Sequence, residues 1–462
     1  MGIKEAANPA ERAMQITLIN HACVKIAMGG VAVLCDPWID GPVFNFGWDL
    51  LIKTPMDIDA IMAGVTHIWI SHEHPDHFSP KFLEEIARQY AGRVPILFQK
   101  TRDRRVKTFC ESRGFAVIEL PDRVRRPLGG IEVMCGTSEF YDSWLFLSDG
   151  SARVLNLNDC RERDDSALRK LSRCVGPLDV LLTQFSYAAW KGGTADAHYR
   201  ALAARQKLDV VAAQTRILRP RYVVPFASFI YFSNQENAYL NDRVNQPDDA
   251  HAAIAAAGGQ PEILFPGDCW DSNKPDDETA ARERYHEVYA GLPSLPLRPP
   301  GDTVPLAVLE REFADYRAKI YAKNSRLLIG LLRHLPVLGA FRPVTIRLTD
   351  LDTLVSVSVV DGFAVVPRGE PDAAMHSSSL SFIFRNEFGY DTLTVNGRFD
   401  ATPAGFARMT KSLAIGSLNA MGLSVSPRLL LNLPIVLILL RLLVTVLRTM
   451  SSGSGRTKAE LQ

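Results

Sequence analysis

The sequence predicts an α/β protein: a sheet-based domain over residues 1–294, a smaller α+β module over 295–425, and an apolar helix over 426–450. Three observations carry this. Short apolar runs alternate with helix-patterned segments through the first 290 or so residues. A Pro-rich stretch, LPSLPLRPPGD, then interrupts the pattern from residue 292. Beyond residue 428 the chain becomes almost wholly apolar for nineteen residues. Composition is that of a globular protein, 47% hydrophobic and 22% charged over 462 residues. A formal net charge of +1 gives no basic field, and a nucleic-acid partner is not expected.

The elements follow in order. QITLI leads to Asn20-His21, CVKIAM follows, and Gly29-Gly30 turns the chain into VAVLC, which ends at Asp36. IWIS at 68–71 is another short apolar strand, FSPKFLEEIARQYA has helical spacing, and VPILFQK returns to strand. AVIEL, IEVMC, SWLFL, RVLNLN, VLLTQFS and YVVPFASF are further strands. Short strands mixed with helices suggest a sheet with helices outside it. Helical segments around 304–335 precede VTIRLTD, LVSVSVV, GFAVVP and DTLTVNGRF, which read as strands of a module over about 340–425. That pattern resembles sterol-carrier-type lipid-binding domains, with an accessory packing module as the favoured reading.

The apolar stretch LLLNLPIVLILLRLLVTVL, 429–447, lies between Arg428 and Arg448. Nineteen helical residues span roughly 28 Å, about one hydrocarbon core. Asn432, Pro434 and Arg441 count against a clean span, whereas a helix in the membrane interface lets Arg441 snorkel. Membrane association is expected, with spanning and interfacial placement both open; residues 451–462 form a polar tail. The seven cysteines are scattered, with no CxxC pair, which argues against a disulfide scaffold or a Cys-rich metal cluster. The first fourteen residues lack an apolar signal core, so a cytoplasmic catalytic domain is expected.

The chemistry concentrates in Ser71-His72-Glu73-His74-Pro75-Asp76-His77. Alternation along an extended strand end points His72 and His74 to one side, and Asp76 and His77 follow in a turn that can fold back toward them. Three imidazoles and a carboxylate within six residues suit one or two metal ions.

This HxHxDH pattern resembles the metallo-β-lactamase superfamily, which implies an αββα sandwich. The blocks HACVKIAMGGVAVLCDPWIDGPVFNFGWDLL, ISHEHPDHFSP, RVLNLNDC and PRYVVPFASF, between residues 15 and 270, further resemble the catalytic region of CMP-N-acetylneuraminate hydroxylases and their bacterial relatives. The resemblance implies that His72 and His74 bind one metal and that Asp76 and His77 face a second or prepare the open side of the first. Asp159 would bridge, and Asp36 would orient a ligand from behind. Two departures stand out. GTSEFYDSW lacks the expected histidine and offers Glu139 as a ligand, with Asp142 in support; Pro225-Phe226-Ala227-Ser228 stands where the last metal histidine is expected. Carboxylate in place of imidazole hardens the site and favours iron or manganese over zinc; iron is the favoured metal, and Glu139 as ligand resembles carboxylate-rich diiron oxygenases of this fold.

His21, Trp48, Phe226, Ser228 and Asn237 are candidates for a substrate pocket, each with structural packing as the competing reading. The function expected is an iron-dependent oxygenase acting on a small-molecule or lipid-like substrate and supplied by an external reductase, because no paired Cys and His for a Rieske cluster occurs. The alternative is a zinc hydrolase of a phosphodiester, amide or lactone, with Asp76 or Asp159 orienting the attacking hydroxide.

Overall fold

The computed structural model describes residues 14–138, 142–160, 162, 164–274, 278–335 and 338–427. The chain divides into two compact units, one of Met1–Lys191 with Ala197–Arg298, the other of Gly192–Asp196 with Pro299–Gln462.

Two seven-stranded sheets form the first unit. One runs in the order Cys269–Asp271, Gln15–Asn20, Cys23–Met28, Val31–Cys35, His67–Ile70, Ile96–Gln99, Val117–Leu120. The other runs Gln260–Pro261, Tyr222–Phe226, Val180–Gln184, Arg153–Asn158, Ser143–Ser148, Ile131–Thr137, Arg126–Leu128. Each combines an antiparallel part with a parallel one; Val31–Cys35, His67–Ile70 and Ile96–Gln99 run parallel in the first, Arg153–Asn158, Val180–Gln184 and Tyr222–Phe226 in the second.

Period-two side-chain alternation decides which face each residue serves. From the first sheet, Val33, Cys35, Trp69 and Leu97 enter a core shared with Val133, Leu145, Leu147 and Val154 of the second sheet. Their neighbours Leu34, Ile68, Ile70, Ile96 and Phe98 face the other way, onto Phe82, Leu83 and Ile86 of helix Pro80–Tyr90 and Val106 and Cys110 of helix Arg105–Ser112. Beyond the second sheet, Leu168, Leu171, Val211 and Ile254 bring in helices Asp165–Val175, Ala197–Leu218 and Pro247–Ala256. The result is four layers, helices–sheet–sheet–helices. Because both faces of each central strand are covered, these strands read as continuous apolar runs such as VAVLC and HIWI.

In the second unit a five-stranded sheet runs Gly362–Val366, Thr353–Ser358, Val344–Leu348, Ala373–Met375, Asp400–Ala401. Helix Leu306–Lys323 supplies Phe313 and Tyr316, which pack their rings on Phe384 of helix Ser377–Arg385. One expectation is corrected: DTLTVNGRF is not a strand, because Gly389–Asn396 is helical and ends at Gly397 in the left-handed conformation. Tyr390 and Leu393, three residues apart, form its buried stripe.

Among the described residues, no helix is long and apolar enough to cross a membrane. The apolar stretch 429–447 and the polar tail 451–462 lie outside the described residues.

Candidate metal centre

Parallel strands deliver the chemistry at their carboxyl ends. Val31–Cys35 stops at Asp36 and His67–Ile70 stops at Ser71-His72, side by side in the first sheet. Arg153–Asn158 in the second sheet ends just before Asp159, and Ser143–Ser148 starts just after Asp142. Several of these strand ends adopt left-handed backbone: His21 (φ 40°), Asp36 (φ 44°), Asn158 (φ 50°) and Ala227 (φ 53°). For residues with a Cβ this conformation is costly, and the surrounding hydrogen bonds hold it. The HxHxDH segment closes as a turn, with the amides of His77 and Phe78 donating to the His74 carbonyl, after which Ser79 caps helix Pro80–Tyr90.

These turns collect the donors. His72 Nε2 lies 2.9 Å from His74 Nδ1 and 3.7 Å from Asp142 Oδ1. His77 Nε2 lies 3.2 Å from Asp76 Oδ2 and 3.4 Å from Asp159 Oδ2. The rings of His72 and His77 are 4.3 Å apart. Donor atoms about 2.1 Å from one ion sit roughly 3.0–3.4 Å from one another, so these separations fit ligands around shared ions. The satisfaction of the buried atoms fits too: His77 Nε2 and Asp76 Oδ1 are buried with no hydrogen-bond partner. Leaving such atoms idle in an apolar interior is costly, and a cation between them removes the cost.

A shared hydrogen-bond network stands behind the donors. Asp36 accepts from the Ser71 amide (2.7 Å), from Asn158 Nδ2 (2.5 Å) and from His77 Nδ1 (3.1 Å). Asn158 Nδ2 also donates to Ser71 Oγ (2.7 Å), which meets His72 Nδ1 at 2.9 Å. With Nδ1 so engaged, Nε2 of both rings is presented to the centre. The Ser71 carbonyl is pinned by Ser143 Oγ (2.5 Å) and Gln99 Nε2 (2.9 Å). On the opposite side Gln184 Nε2 donates to Asp159 Oδ1 (3.0 Å), and Lys207 Nζ donates to Gln184 Oε1.

Charge follows from burial and neighbours. Burial and the adjacent His77 and His74 push His72 well below the ordinary imidazole range, which keeps it neutral. Burial opposes charge on His77, but Asp76, Asp159 and Asp36 outweigh it and hold its pKa well above normal. Burial likewise opposes charge on Asp76 and Asp159, yet His77 holds both carboxyls below their usual range. Asp36 is raised by burial, with His77 limiting the rise. The centre is therefore rich in anionic oxygen, a cation's environment.

Several predicted residues fall together here: His72, His74, Asp76, His77 and Asp159 as donors, Asp36 behind His77. Asp142 faces His72 itself rather than standing behind it. Glu139 lies outside the described residues. His21 reaches the centre, with Nε2 3.4 Å from Asp76 Oδ2. Trp48 backs Phe44 (4.5 Å between ring centroids), and Phe44 in turn sits 5.7 Å from the His74 ring, edge-on. Phe226, Ser228 and Asn237 serve the fold instead of an open pocket. Phe226 is in the inter-sheet core, Ser228 Oγ accepts from the Phe185 and Ser186 amides, and Asn237 donates to the Gly47 carbonyl. Sequence reasoning missed Ser71, Asn158 and the Gln184–Lys207 pair as supports. Asn158 carries a signal only in retrospect, as a buried amide that ends a strand beside Asp159.

Residues 15–127 match the model described as a beta-lactamase superfamily domain. The chain is also similar to the mouse cytidine monophosphate-N-acetylneuraminic acid hydroxylase, 25% identical over 252 residues, covering 51% of this chain and 42% of the relative. A protein of Mycolicibacterium smegmatis named for a Rieske 2Fe-2S iron-sulfur protein is 29% identical over 252 residues, covering 51% of this chain and 47% of its own length. Thus the chain spans less than half the length of either curated relative. Among solved structures, CmlA, a diiron beta-hydroxylase from Streptomyces venezuelae, is similar at 17% identity and a TM-score of 0.40, covering 56% of this chain and 54% of its own.

Proposed function

We propose that this chain is an iron-dependent oxygenase that hydroxylates a small-molecule or lipid-like substrate with electrons from an external donor. The observation that carries the reading is the oxygen-rich donor set. Asp142 faces His72 Nε2 at 3.7 Å, in the part of the chain where a zinc enzyme of this superfamily carries a histidine, and Asp76 and Asp159 add two more carboxylates. Carboxylate donors favour a harder ion than zinc. The hydroxylase name of the mouse relative adds support for the reaction class, and the Rieske name of the mycobacterial relative for an iron–sulfur electron source.

In this reading His72, His74 and Asp142 would hold one ion, and Asp76, His77 and Asp159 the other. Bound iron would supply the O2 chemistry, in which one oxygen atom enters a C–H bond of the substrate and the other leaves as water, with two electrons and two protons from the donor. The chain's own residues do the rest. Asp36 and Ser71 fix the imidazole tautomers, Gln184 with Lys207 fixes the Asp159 carboxylate, and Phe44 backed by Trp48 excludes water beside His74. A cytoplasmic catalytic domain is part of the proposal, taken from the seven scattered cysteines of the sequence, which contain no CxxC pair. An external reductase is part of the proposal because none of the seven forms a paired cluster motif. Membrane attachment through 429–447 is proposed from sequence alone; deleting residues 426–462 should release the protein from membranes, and an unchanged membrane fraction refutes it.

A second reading is a zinc hydrolase of a phosphodiester, amide or lactone, with Asp76 or Asp159 orienting the attacking water. The imidazoles of His72, His74 and His77 crowded at the centre favour it. Elemental analysis of anaerobically purified protein, with Mössbauer spectroscopy on an iron-57 sample, separates the two. One or two irons per chain with an O2-dependent spectrum is the expected result. Stoichiometric zinc with no O2 response refutes the oxygenase and leaves hydrolysis; manganese without iron also refutes it.

A further inference from the structure

The second metal position, formed by Asp76, His77 and Asp159, lacks an imidazole from the segment Pro225–Ser228. In the structure that segment cannot supply one: Phe226 is buried in the core and Ser228 Oγ is taken by two backbone amides. On the other side of Asp76, however, stands His21. We propose that His21 Nε2 is a ligand of the second metal position and replaces the histidine missing from 225–228. This rests on the reading of the centre as a metal site.

Three features carry the assignment. First, His21 is 1% exposed, and both of its ring nitrogens are buried without a hydrogen-bond partner. Structural histidines in a core are normally satisfied by backbone or carboxylate. The approach to Asp76 Oδ2, 3.4 Å, is too long for a charge-assisted hydrogen bond, typically about 2.7–2.9 Å. It matches the separation of two ligands on one ion, and His77 Nε2 stands 3.2 Å from the same oxygen. Second, His21, Asp76 and His77 each offer one atom within 4.8 Å of the other two, and all three side chains are buried. Third, the backbone aims the ring. His21 has φ 40°, held because its amide donates to Asn20 Oδ1 (2.9 Å) and its carbonyl accepts from the Ala227 amide (3.0 Å). Asn20 is itself fixed by the Ile52 carbonyl (2.8 Å) and Thr54 Oγ1 (3.0 Å). Trp38, edge-on at 5.4 Å, walls the ring from outside. This hydrogen bonding would be surplus for a turn residue with no ligand to meet.

The test uses the full chain loaded anaerobically with Co(II) or Fe(II), never activity. Metal per chain is measured by elemental analysis, and ligating imidazoles are counted in the Co(II) protein as hyperfine-shifted, exchangeable ring N–H signals. Wild type should hold two ions and show four such signals, from His21, His72, His74 and His77. His21→Ala should hold one ion tightly, bind the second at least 100-fold more weakly, and lose one signal. Two tight ions in His21→Ala, or one ion in wild type, overturns the assignment but leaves the centre standing. No ion in wild type overturns the metal reading itself. If His21→Ala does not fold, the wild-type count decides alone: three signals instead of four make His21 a neighbour that only positions Asp76, and the proposal fails.

Discussion

Asp36→Asn changes one oxygen to nitrogen at the hub of the supporting network, and its effect can be worked out from the geometry. Asp36 is fully buried and accepts from three donors: the Ser71 amide on Oδ1, and Asn158 Nδ2 and His77 Nδ1 on Oδ2. Asparagine keeps the side-chain shape and tolerates the φ of 44°, so backbone strain does not confound the comparison. Its amide oxygen can serve one side of the hub only. If it faces the Ser71 amide, the new NH2 points at His77 Nδ1 and at Asn158 Nδ2; Asn158 keeps Ser71 Oγ as an acceptor, and the His77 donor is left without one. If it flips, one donor is orphaned. At about 1–3 kcal/mol per buried unsatisfied donor, the loss is about 1–3 kcal/mol. For a domain of this size that lowers Tm by about 2–12 °C, from about 2–4 °C per kcal/mol. Metal affinity should fall about 10–100-fold, because His77 loses the partner that orients it. Thermal denaturation of the metal-free protein reads the first effect, and calorimetric metal titration reads the second. A Tm within about 2 °C of wild type together with unchanged affinity would refute the account of Asp36 as the hub.

Other perturbations test the centre and the layers around it. His74→Ala removes a donor 2.9 Å from His72 Nε2 and should lower the metal content by at least one ion per chain; full content would sink the donor assignment. Gln184→Leu frees Asp159 from its 3.0 Å hydrogen bond and should weaken metal binding about 10-fold while Tm changes little; equal affinity in titration would make that contact incidental. Phe98→Ala empties part of the core between the first sheet and its helices and should cost about 3–5 kcal/mol by urea denaturation, and a loss below about 1 kcal/mol would contradict the packing described. Chelation of the bound metal should lower Tm by about 5–10 °C, since an ion at 100 times its Kd stabilises by about 2.7 kcal/mol. An unchanged melting curve after verified metal removal would mean that no ion contributes to the fold.

The parallel strands were legible because burial on both faces leaves a plain mark: VAVLC, IWIS and ILFQ are apolar at every step or nearly so. Short edges were not. Trp48–Leu50 and Ile230–Phe232 form a two-stranded sheet, three residues against three, too little for a periodic signal. DTLTVNGRF was misread because Thr, Leu and Val in sequence resemble a strand, whereas the helix is set by tertiary burial of Tyr390 and Leu393 and by the stop at Gly397. The cluster at 72–77 announces its chemistry within one turn of chain. Partners from elsewhere do not: Asn158 meets Asp36 across 122 residues, and His21 meets Asp76 only because two turns face each other in space. Spacing in a sequence cannot report such meetings, and neither can the type of residue alone.

Strand ends from opposite sheets surround the donors, and this has a consequence for the order of events in folding. His72, His74, Asp76 and His77 follow strand His67–Ile70 of one sheet, whereas Asp142 and Asp159 flank strands Ser143–Ser148 and Arg153–Asn158 of the other. The first half brings His21, Asp76 and His77 together by itself, but Asp142 and Asp159 join only from the second sheet, so the ion cannot template that sheet. The full donor set forms only after the two have docked, and then the metal acts as a rivet across the seam. A contact made that late on the route slows the way out rather than speeding the way in. Metal should therefore lengthen the lifetime of the native state, with the rate of refolding nearly unchanged.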